Sequence, residues 1–202
     1  MKKILYLTLC AAILFLGYRI LFSSAPGKKG EIHSRTIICF GDSLTYGTGA
    51  GENMDYPSQL SKLIDRPVMN AGVPGDTTAR ALQRLERDVL AKSPDVVLIT
   101  LGGNDLKNGV AKNIAFENLK LIVESIQKQG ARVIIGGLQF PLRDRGFGRA
   151  YKKLADETGA SLIPDILEGI IGNRDLMSDP IHPNDKGYTI MAQKFYEAIL
   201  QH

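Results

Sequence analysis

Cysteine and histidine are scarce in this chain. Its 202 residues include two cysteines and three histidines. Cys10 lies in an apolar run and Cys39 in a predicted buried strand, so we expect the two not to meet and predict no disulfide. Cys39 is interpreted as a packing residue of the core, because unpaired cysteine behaves as a small buried hydrophobe. No Cys/His cluster has the spacing of a metal site, and the sequence indicates neither a metal nor another cofactor.

The chain also lacks a basic stripe in its main part. The formal net charge is +4, but residues 1–35 carry six basic side chains against one acidic, so the remainder is slightly acidic. Binding to a nucleic acid backbone requires clustered lysine and arginine, which residues 36–202 do not offer. This excludes nucleic acid as the partner, and nothing in the sequence indicates a protein partner.

One long apolar run is present, at residues 4–22, with Thr8 and Arg19 as its polar members. At about 1.5 Å per residue, a helix of this length would just cross a hydrocarbon core of roughly 30 Å. The run predicts a membrane anchor or a cleaved signal over residues 1–25. We favour an inner-membrane anchor with the domain outside the cytoplasm, and export after signal cleavage is the alternative. A Pro-, Gly- and Lys-rich linker over 26–35 argues against a buried helix of a soluble domain.

From residue 36 to residue 202, short apolar runs alternate with amphipathic stretches. This alternation predicts an α/β domain with a parallel five-stranded sheet and helices on both faces. The predicted strands are 36–40, 68–71, 95–101, 131–138 and 161–163, and the predicted helices are 56–64, 77–91, 114–129, 147–158 and 183–201. Ligands of such sheets bind beyond the carboxyl ends of the strands, so residues directly after the strands are the first candidates for a site.

Ser43 is the candidate nucleophile. It stands in the block Gly-Asp-Ser-Leu at 41–44, three residues after the first predicted strand. A serine hydroxyl attacks a carbonyl only when a base takes its proton, and the alternative is a serine that caps a helix. Two residues after Ser43 the chain has Thr45, where the Gly-x-Ser-x-Gly elbow of α/β-hydrolases has glycine. This difference argues against the α/β-hydrolase fold.

His182 is the candidate base, and Asp179 is the residue that would orient it. His33 lies in the linker and His202 is the last residue, so elimination leaves His182, in the block Asp-Pro-Ile-His-Pro. A carboxylate three residues before a histidine can accept from Nδ1 and hold Nε2 towards a serine. Two alternatives remain: a loop aspartate beside a capping histidine, and a metal site with Asp185, which lacks a further strong ligand.

Gly75 and Asn104 are the candidate oxyanion donors. They lie in the blocks at 70–77 and 102–105, after the second and third predicted strands, and so belong to the same sheet edge as Ser43. Acyl transfer builds negative charge on the carbonyl oxygen, which a backbone N–H at glycine and a neutral side-chain amide can stabilise. The alternatives are a turn glycine and an Asx turn.

With all four blocks in this order, residues 36–202 resemble the GDSL, or SGNH, hydrolase family, and among its members the bacterial lysophospholipase L1/thioesterase I-type esterases and arylesterases. The resemblance implies a three-layer α/β/α, flavodoxin-like fold with a Ser43–Asp179–His182 triad. It implies oxyanion donors at the N–H groups of Ser43 and Gly75 and at the Asn104 amide. The apolar N-terminal segment departs from the soluble relatives.

Three functions compete on this basis. The first is a serine esterase that forms an acyl-enzyme from carboxylic esters such as lysophospholipids, thioesters or arylesters. The second is a carbohydrate O-acetyl deacetylase of the cell envelope, which the same residues would serve. The third is a non-catalytic, membrane-anchored binding module, which predicts damaged motif blocks that the sequence does not show. Residues 107–111 are expected to form a loop that contacts the acyl group.

Overall fold

Five short parallel strands form the centre of the computed structural model, which describes residues 36–139 and 146–201. They are β1 (Ile37–Gly41), β2 (Val68–Gly72), β3 (Val96–Thr100), β4 (Arg132–Gly136) and β5 (Ser161–Ile163). The sheet order is β2-β1-β3-β4-β5 and every neighbouring pair is parallel. The sequence-based prediction of a parallel five-stranded sheet is therefore confirmed.

The central strands are apolar because both of their faces are covered. Every residue of β1 and β3 is buried, and β-branched or aromatic residues dominate both. Such near-continuous apolar runs are typical of parallel sheets that lie between helices. Cys39 of β1 is fully buried and free, opposite Leu98 of β3, in agreement with its interpretation as a core residue.

The helices flank this sheet. They are α1 (Ser43–Tyr46), α2 (Tyr56–Ile64), α3 (Thr78–Asp88), α4 (Gly103–Lys107), α5 (Lys112–Lys128), α6 (Phe147–Thr158) and α7 (Asp185–Leu200), with 3-10 turns at Leu90–Lys92 and Arg174–Leu176. Helices α2 and α7 pack together, while α5 packs against both α3 and α6. The stack of Tyr56 on Phe195, with ring centroids 5.1 Å apart, joins α2 to α7.

Several predicted helix ends differ from the observed ends by one to three residues. The helix predicted over 77–91 ends at Asp88, because Val89 leaves the helical region (φ −126°) and a 3-10 turn follows. The last helix begins at Asp185 rather than at Pro183, because the Asn184 side chain accepts from the N–H groups of the first turn. The short helices α1 and α4 have too few turns to leave an apolar periodicity in the sequence.

The residues predicted at positions 4–22 to form an apolar helix, and those of the linker at 26–35, lie outside the described residues. Among the helices that the structure describes, none combines the length and the apolar character needed to span a membrane.

The strand order places a topological switch point at the carboxyl ends of β1 and β3. From β1 the chain moves outwards to β2 and then returns to the other side of β1 as β3, which is the switch point where parallel α/β sheets bind ligands. Helix α1 packs directly on the end of β2, where a Cβ at Gly72 would lie 2.1 Å from the Tyr46 backbone nitrogen. Glycine at position 72 therefore lets the segment that begins with Ser43 approach the sheet closely.

Candidate active site

Ser43 is the first residue of α1, immediately beyond β1. Asp42 caps this helix, with Oδ1 accepting from the Leu44 N–H at 3.0 Å. The helix ends after four residues at Gly47, which adopts the left-handed conformation (φ 95°). An N–H in the first turn of a helix has no partner within the helix, so the Ser43 N–H is free to serve another acceptor.

His182 lies between Ser43 and Asp179. Its Nε2 is 3.1 Å from Ser43 Oγ, and its Nδ1 is 2.6 Å from Asp179 Oδ2. The other carboxylate oxygen of Asp179 accepts from the backbone N–H groups of Ile181 and His182, both at 2.8 Å. One carboxylate thus fixes both the turn that carries the imidazole and the orientation of its ring.

The electrostatics of Asp179 agree with this geometry. The hydrogen bond from His182 is the main cause that lowers the pKa of the Asp179 carboxyl below its ordinary value, and the two backbone N–H groups add to it. The carboxylate therefore stays ionised down to lower pH than a free aspartate. An anion at this place favours the tautomer that carries its proton on Nδ1 and leaves Nε2 to accept from serine.

The turn that holds His182 is tied to its surroundings by backbone contacts. Met177 and Pro183 form an antiparallel bridge, and the Ser178 N–H donates to His182 O at 2.9 Å. Asn184 caps α7 and also donates from Nδ2 to Asp175 O at 3.0 Å. These bonds hold the imidazole at a fixed place relative to α7.

Asn104 and Gly75 reach the same edge of the sheet. Asn104 Nδ2 lies 3.1 Å from Asp42 Oδ2 and 2.9 Å from the backbone oxygen of Asp76. The amide thus bridges the residue before Ser43 and the residue after Gly75. Gly75 is exposed with φ +80°, and no described atom lies within 4 Å of the place that a Cβ would occupy. Its backbone is therefore open to an approaching ligand.

Buried aspartates hold these loops together. Asp105 accepts from Thr78 N at 2.9 Å and from Thr78 Oγ1 at 2.7 Å, which ties α4 to the start of α3. Asp42 and Asp76 are 3% and 2% exposed, so neither carboxylate belongs to the solvated surface. The side chains of Asp42 and Asp105 accept hydrogen bonds from the backbone N–H groups of Leu44 and Thr78. The Asp76 carboxylate instead pairs with arginine.

One residue of this site escaped the sequence analysis. The Arg84 side chain is 10% exposed, and its Nε lies 2.6 Å from Asp76 Oδ2. Its neighbours Ala81 and Leu85 are buried on the inner face of α3. An arginine on the apolar face of an amphipathic helix is the signal that could have revealed it, because arginine is rarely buried unless it is paired.

The described residues contain no group of His, Cys, Asp and Glu side chains that could hold a metal ion. Asp185, which the metal alternative required, uses Oδ1 to accept from the Gly51 N–H at 2.8 Å. This carboxylate therefore fixes the loop before α2.

Burial makes Asp42 an unusual carboxyl. Removal from water raises its pKa from 3.8 to about 6, against the lowering effects of the Leu44 N–H and of charge on His182; nearby Asp76 raises it further. The folded protein therefore holds the proton more strongly than the unfolded chain does. Stability gained from the protonated form is complete below the unfolded pKa and is lost as pH rises through the folded value.

We expect replacement of Asp42 by asparagine to remove this pH dependence. Between about pH 4 and pH 7 the ionisation of Asp42 lowers the free energy of unfolding of the wild type by about 3 kcal/mol, which the amide does not share. Denaturant unfolding across that range measures the free energy of unfolding of both proteins. The value for the variant should rise relative to that of the wild type as pH rises. A difference that stays constant with pH, or shifts the other way, would contradict this account.

A serine, an imidazole and a carboxylate joined in series at the carboxyl edge of a parallel sheet form an arrangement suited to nucleophilic hydrolysis. Residues 39–190 match the GDSL-like Lipase/Acylhydrolase family. The chain belongs to this family and is an ester hydrolase, so the interpretation as a non-catalytic binding module is set aside.

Individual relatives agree with this assignment. The chain is 32% identical over 161 residues to Esterase TesA of Pseudomonas aeruginosa, and the alignment covers 74% of this chain and 80% of that protein. It is 28% identical over 183 residues to the arylesterase of Vibrio mimicus, which covers 84% of this chain and 90% of that one. The crystal structure of TesA matches with a TM-score of 0.77 and 28% identity, over 82% of this chain and 98% of that chain.

Proposed function

We propose that this protein hydrolyses carboxylic acyl esters through a covalent acyl-enzyme on Ser43, with His182 as general base and Asp179 as its orienting carboxylate. The observation that carries the proposal is the series of contacts from Ser43 Oγ to His182 Nε2 at 3.1 Å and from His182 Nδ1 to Asp179 Oδ2 at 2.6 Å. Both distances lie within hydrogen-bonding reach, which a nucleophile and its base require.

In the first half of the reaction, His182 Nε2 takes the proton of the Ser43 hydroxyl as Oγ attacks the ester carbonyl. The new C–O bond produces a tetrahedral oxyanion, and Asp179 stabilises the imidazolium that forms. The C–O bond to the alcohol then breaks, and His182 returns the proton to the departing oxygen. In the second half, water replaces the alcohol: His182 takes its proton, the hydroxide attacks the acyl-enzyme, and Ser43 recovers its proton as the acid leaves.

The negative charge of the tetrahedral intermediate needs donors, and we propose the N–H groups of Ser43 and Gly75 and the side-chain amide of Asn104. Each such donor contributes roughly 3–4 kcal/mol to the transition state in well-studied hydrolases. Asn104 Nδ2 already bonds Asp42 and the Asp76 carbonyl. It would therefore share the N–H on the Asp76 side with the substrate oxygen, while the bond to Asp42 keeps the amide in place.

The substrate proposal is tested on the full chain with p-nitrophenyl esters from acetate to palmitate, a lysophospholipid and an acyl thioester. We expect hydrolysis of short- to medium-chain esters and of the lysophospholipid, abolished in Ser43→Ala. The matched control is Ser61→Ala, which removes a hydroxyl that bonds the Arg66 carbonyl at the end of α2. Activity confined to acetate would replace this proposal with the envelope deacetylase, and activity that survives in Ser43→Ala would exclude the mechanism.

We further propose that residues 1–25 anchor a hydrolase domain at 36–202 to the inner membrane, with the domain outside the cytoplasm and a linker at 26–35. The support is the apolar run at 4–22, which precedes a linker without an apolar pattern. Cell fractionation with N-terminal sequencing of the mature protein tests this. A mature chain that begins after residue 25 and is recovered without the membrane would indicate export after signal cleavage.

A further inference from the structure

The guanidinium of Arg84 lies almost buried beside the segments that carry Ser43 and Gly75, although no catalytic step uses it. Its side chain is 10% exposed, and the guanidinium carbon lies 4.4 Å from the centre of the Phe40 ring. Arginine is costly to bury unless its planar donors are satisfied. The guanidinium therefore needs hydrogen-bond acceptors that offset this cost, and it fixes in turn the segments to which those acceptors belong.

Arg84 donates to four acceptors on different parts of the chain. Nε bonds Asp76 Oδ2 at 2.6 Å, and Nη2 bonds the backbone oxygen of Gly41 at 2.8 Å. Nη1 bonds the backbone oxygen of Ala71 at 2.9 Å and Asp88 Oδ2 at 3.1 Å. Asp88 belongs to α3 itself, whereas the other three acceptors lie outside this helix.

Two of these three acceptors lie within two residues of a group of the proposed reaction, and the third lies on the strand that leads to Gly75. Gly41 ends β1, two residues before Ser43, and its oxygen also accepts from the Val73 N–H at 3.0 Å. Ala71 lies near the end of β2, and Asp76 directly follows Gly75. One rigid side chain therefore fixes the distance between the segment of the nucleophile and the loop that carries the Gly75 N–H.

Arg84 is also linked to Asn104, through Asp76. The Asp76 carboxylate is held by Arg84, and the Asp76 backbone oxygen accepts from Asn104 Nδ2 at 2.9 Å. Arg80 also approaches the Asp76 carboxylate, at 3.6 Å, but its side chain is 64% exposed and its pairing is weak. The Asp76 N–H also donates to the Val73 backbone oxygen at 3.1 Å. Of the two arginines, Arg84 makes the shorter contact to the Asp76 carboxylate and ties it to the ends of β1 and β2.

We infer that Arg84 is a positioning residue for the oxyanion hole, which sets the spacing of the Ser43, Gly75 and Asn104 donors without touching the substrate. This inference rests on the proposed function. Oxyanion stabilisation depends on donors that are held in place before the charge forms, and a misplacement of about 1 Å can lower the rate by roughly a hundredfold. Lysine keeps the charge but lacks the planar fork, so it cannot satisfy all of these acceptors.

The test compares Arg84→Lys and Arg84→Met with Arg87→Met, which removes an arginine that is 78% exposed on the same helix. In the folded Arg84 variants we expect kcat for a p-nitrophenyl ester to fall by about tenfold to a hundredfold, with KM within about twofold of the wild-type value. We expect binding of a trifluoromethyl ketone, which forms an oxyanion on Ser43, to weaken by a similar factor. Arg87→Met should match the wild type in all three measurements.

A purely structural role for Arg84 would lower the melting temperature and leave kcat per folded molecule unchanged, and that result would overturn the inference. If neither Arg84 variant folds, Asp76→Asn decides, because it removes the ion pair and keeps the backbone oxygen that Asn104 bonds. Loss of kcat in this variant supports the inference, and an unchanged kcat overturns it. Labelling of wild-type Ser43 by a fluorophosphonate distinguishes failure of this inference from failure of the proposed function. A chain that is active but unlabelled at Ser43 refutes the proposed function itself.

Discussion

Replacing Ser43 with alanine is expected to lower kcat for ester hydrolysis by roughly 10⁴- to 10⁶-fold. The alanine cannot form the acyl-enzyme, so only direct attack by water at the remaining site is left. Helix α1 keeps its Asp42 cap, because the substitution leaves the Leu44 N–H in place and this group donates to the Asp42 side chain. Steady-state hydrolysis of a p-nitrophenyl ester, together with the thermal unfolding curve, measures both parts of this expectation.

The control for this variant is Ser61→Ala, whose hydroxyl lies in α2 and serves only a backbone carbonyl in the described structure. It should retain the activity of the wild type. A Ser43→Ala protein that folds and keeps more than about one hundredth of the wild-type kcat would show that another group is the nucleophile.

Replacing His182 with glutamine is expected to lower kcat by a similar factor, because no other described group is within hydrogen-bonding distance of Ser43 Oγ as a base. The glutamine amide can bond the serine hydroxyl but does not accept its proton at neutral pH. Steady-state hydrolysis of a p-nitrophenyl ester by both proteins, with a thermal unfolding curve for each, measures the loss.

Residues that act as a unit give non-additive losses, so the double variant Ser43→Ala/His182→Gln should be about as active as either single variant. His202→Gln, at the last position of the chain, is the matched control and should behave as the wild type. If the fold-decreases in kcat of the two single variants multiply in the double variant, Ser43 and His182 act independently. That result contradicts the proposed proton transfer between them.

Much of the fold could be predicted from local patterns. The bounds of α2 and α6 agree with the sequence prediction, because Asp55 caps the first and Gly159 ends the second in the left-handed conformation. The buried strand β3 was evident from its continuous apolar run. In each case the signal lies within a few residues of the element it determines.

The parts that the sequence did not reveal depend on contacts between distant segments. The buried position of Arg84 follows from acceptors on β1, on β2 and on the loop after Gly75, none of which a helical pattern encodes. The bonds from Asn104 to Asp42 and Asp76 likewise join segments 62 and 28 residues apart. The membrane anchor at 4–22 and the roles of the site residues stay predictions until they are tested by experiment.

The most direct test of the account is to treat the full chain with a fluorophosphonate and to locate the label by mass spectrometry. Phosphonylation requires a serine activated by its base and an oxyanion hole that accepts the phosphoryl oxygen, so it reports the whole site at once. We predict one phosphonyl group per chain, on Ser43, with activity lost in proportion to labelling and no label in His182→Gln. Inactivation with the label on another residue, or full labelling of Ser43 in a chain that remains active, would contradict the central claim.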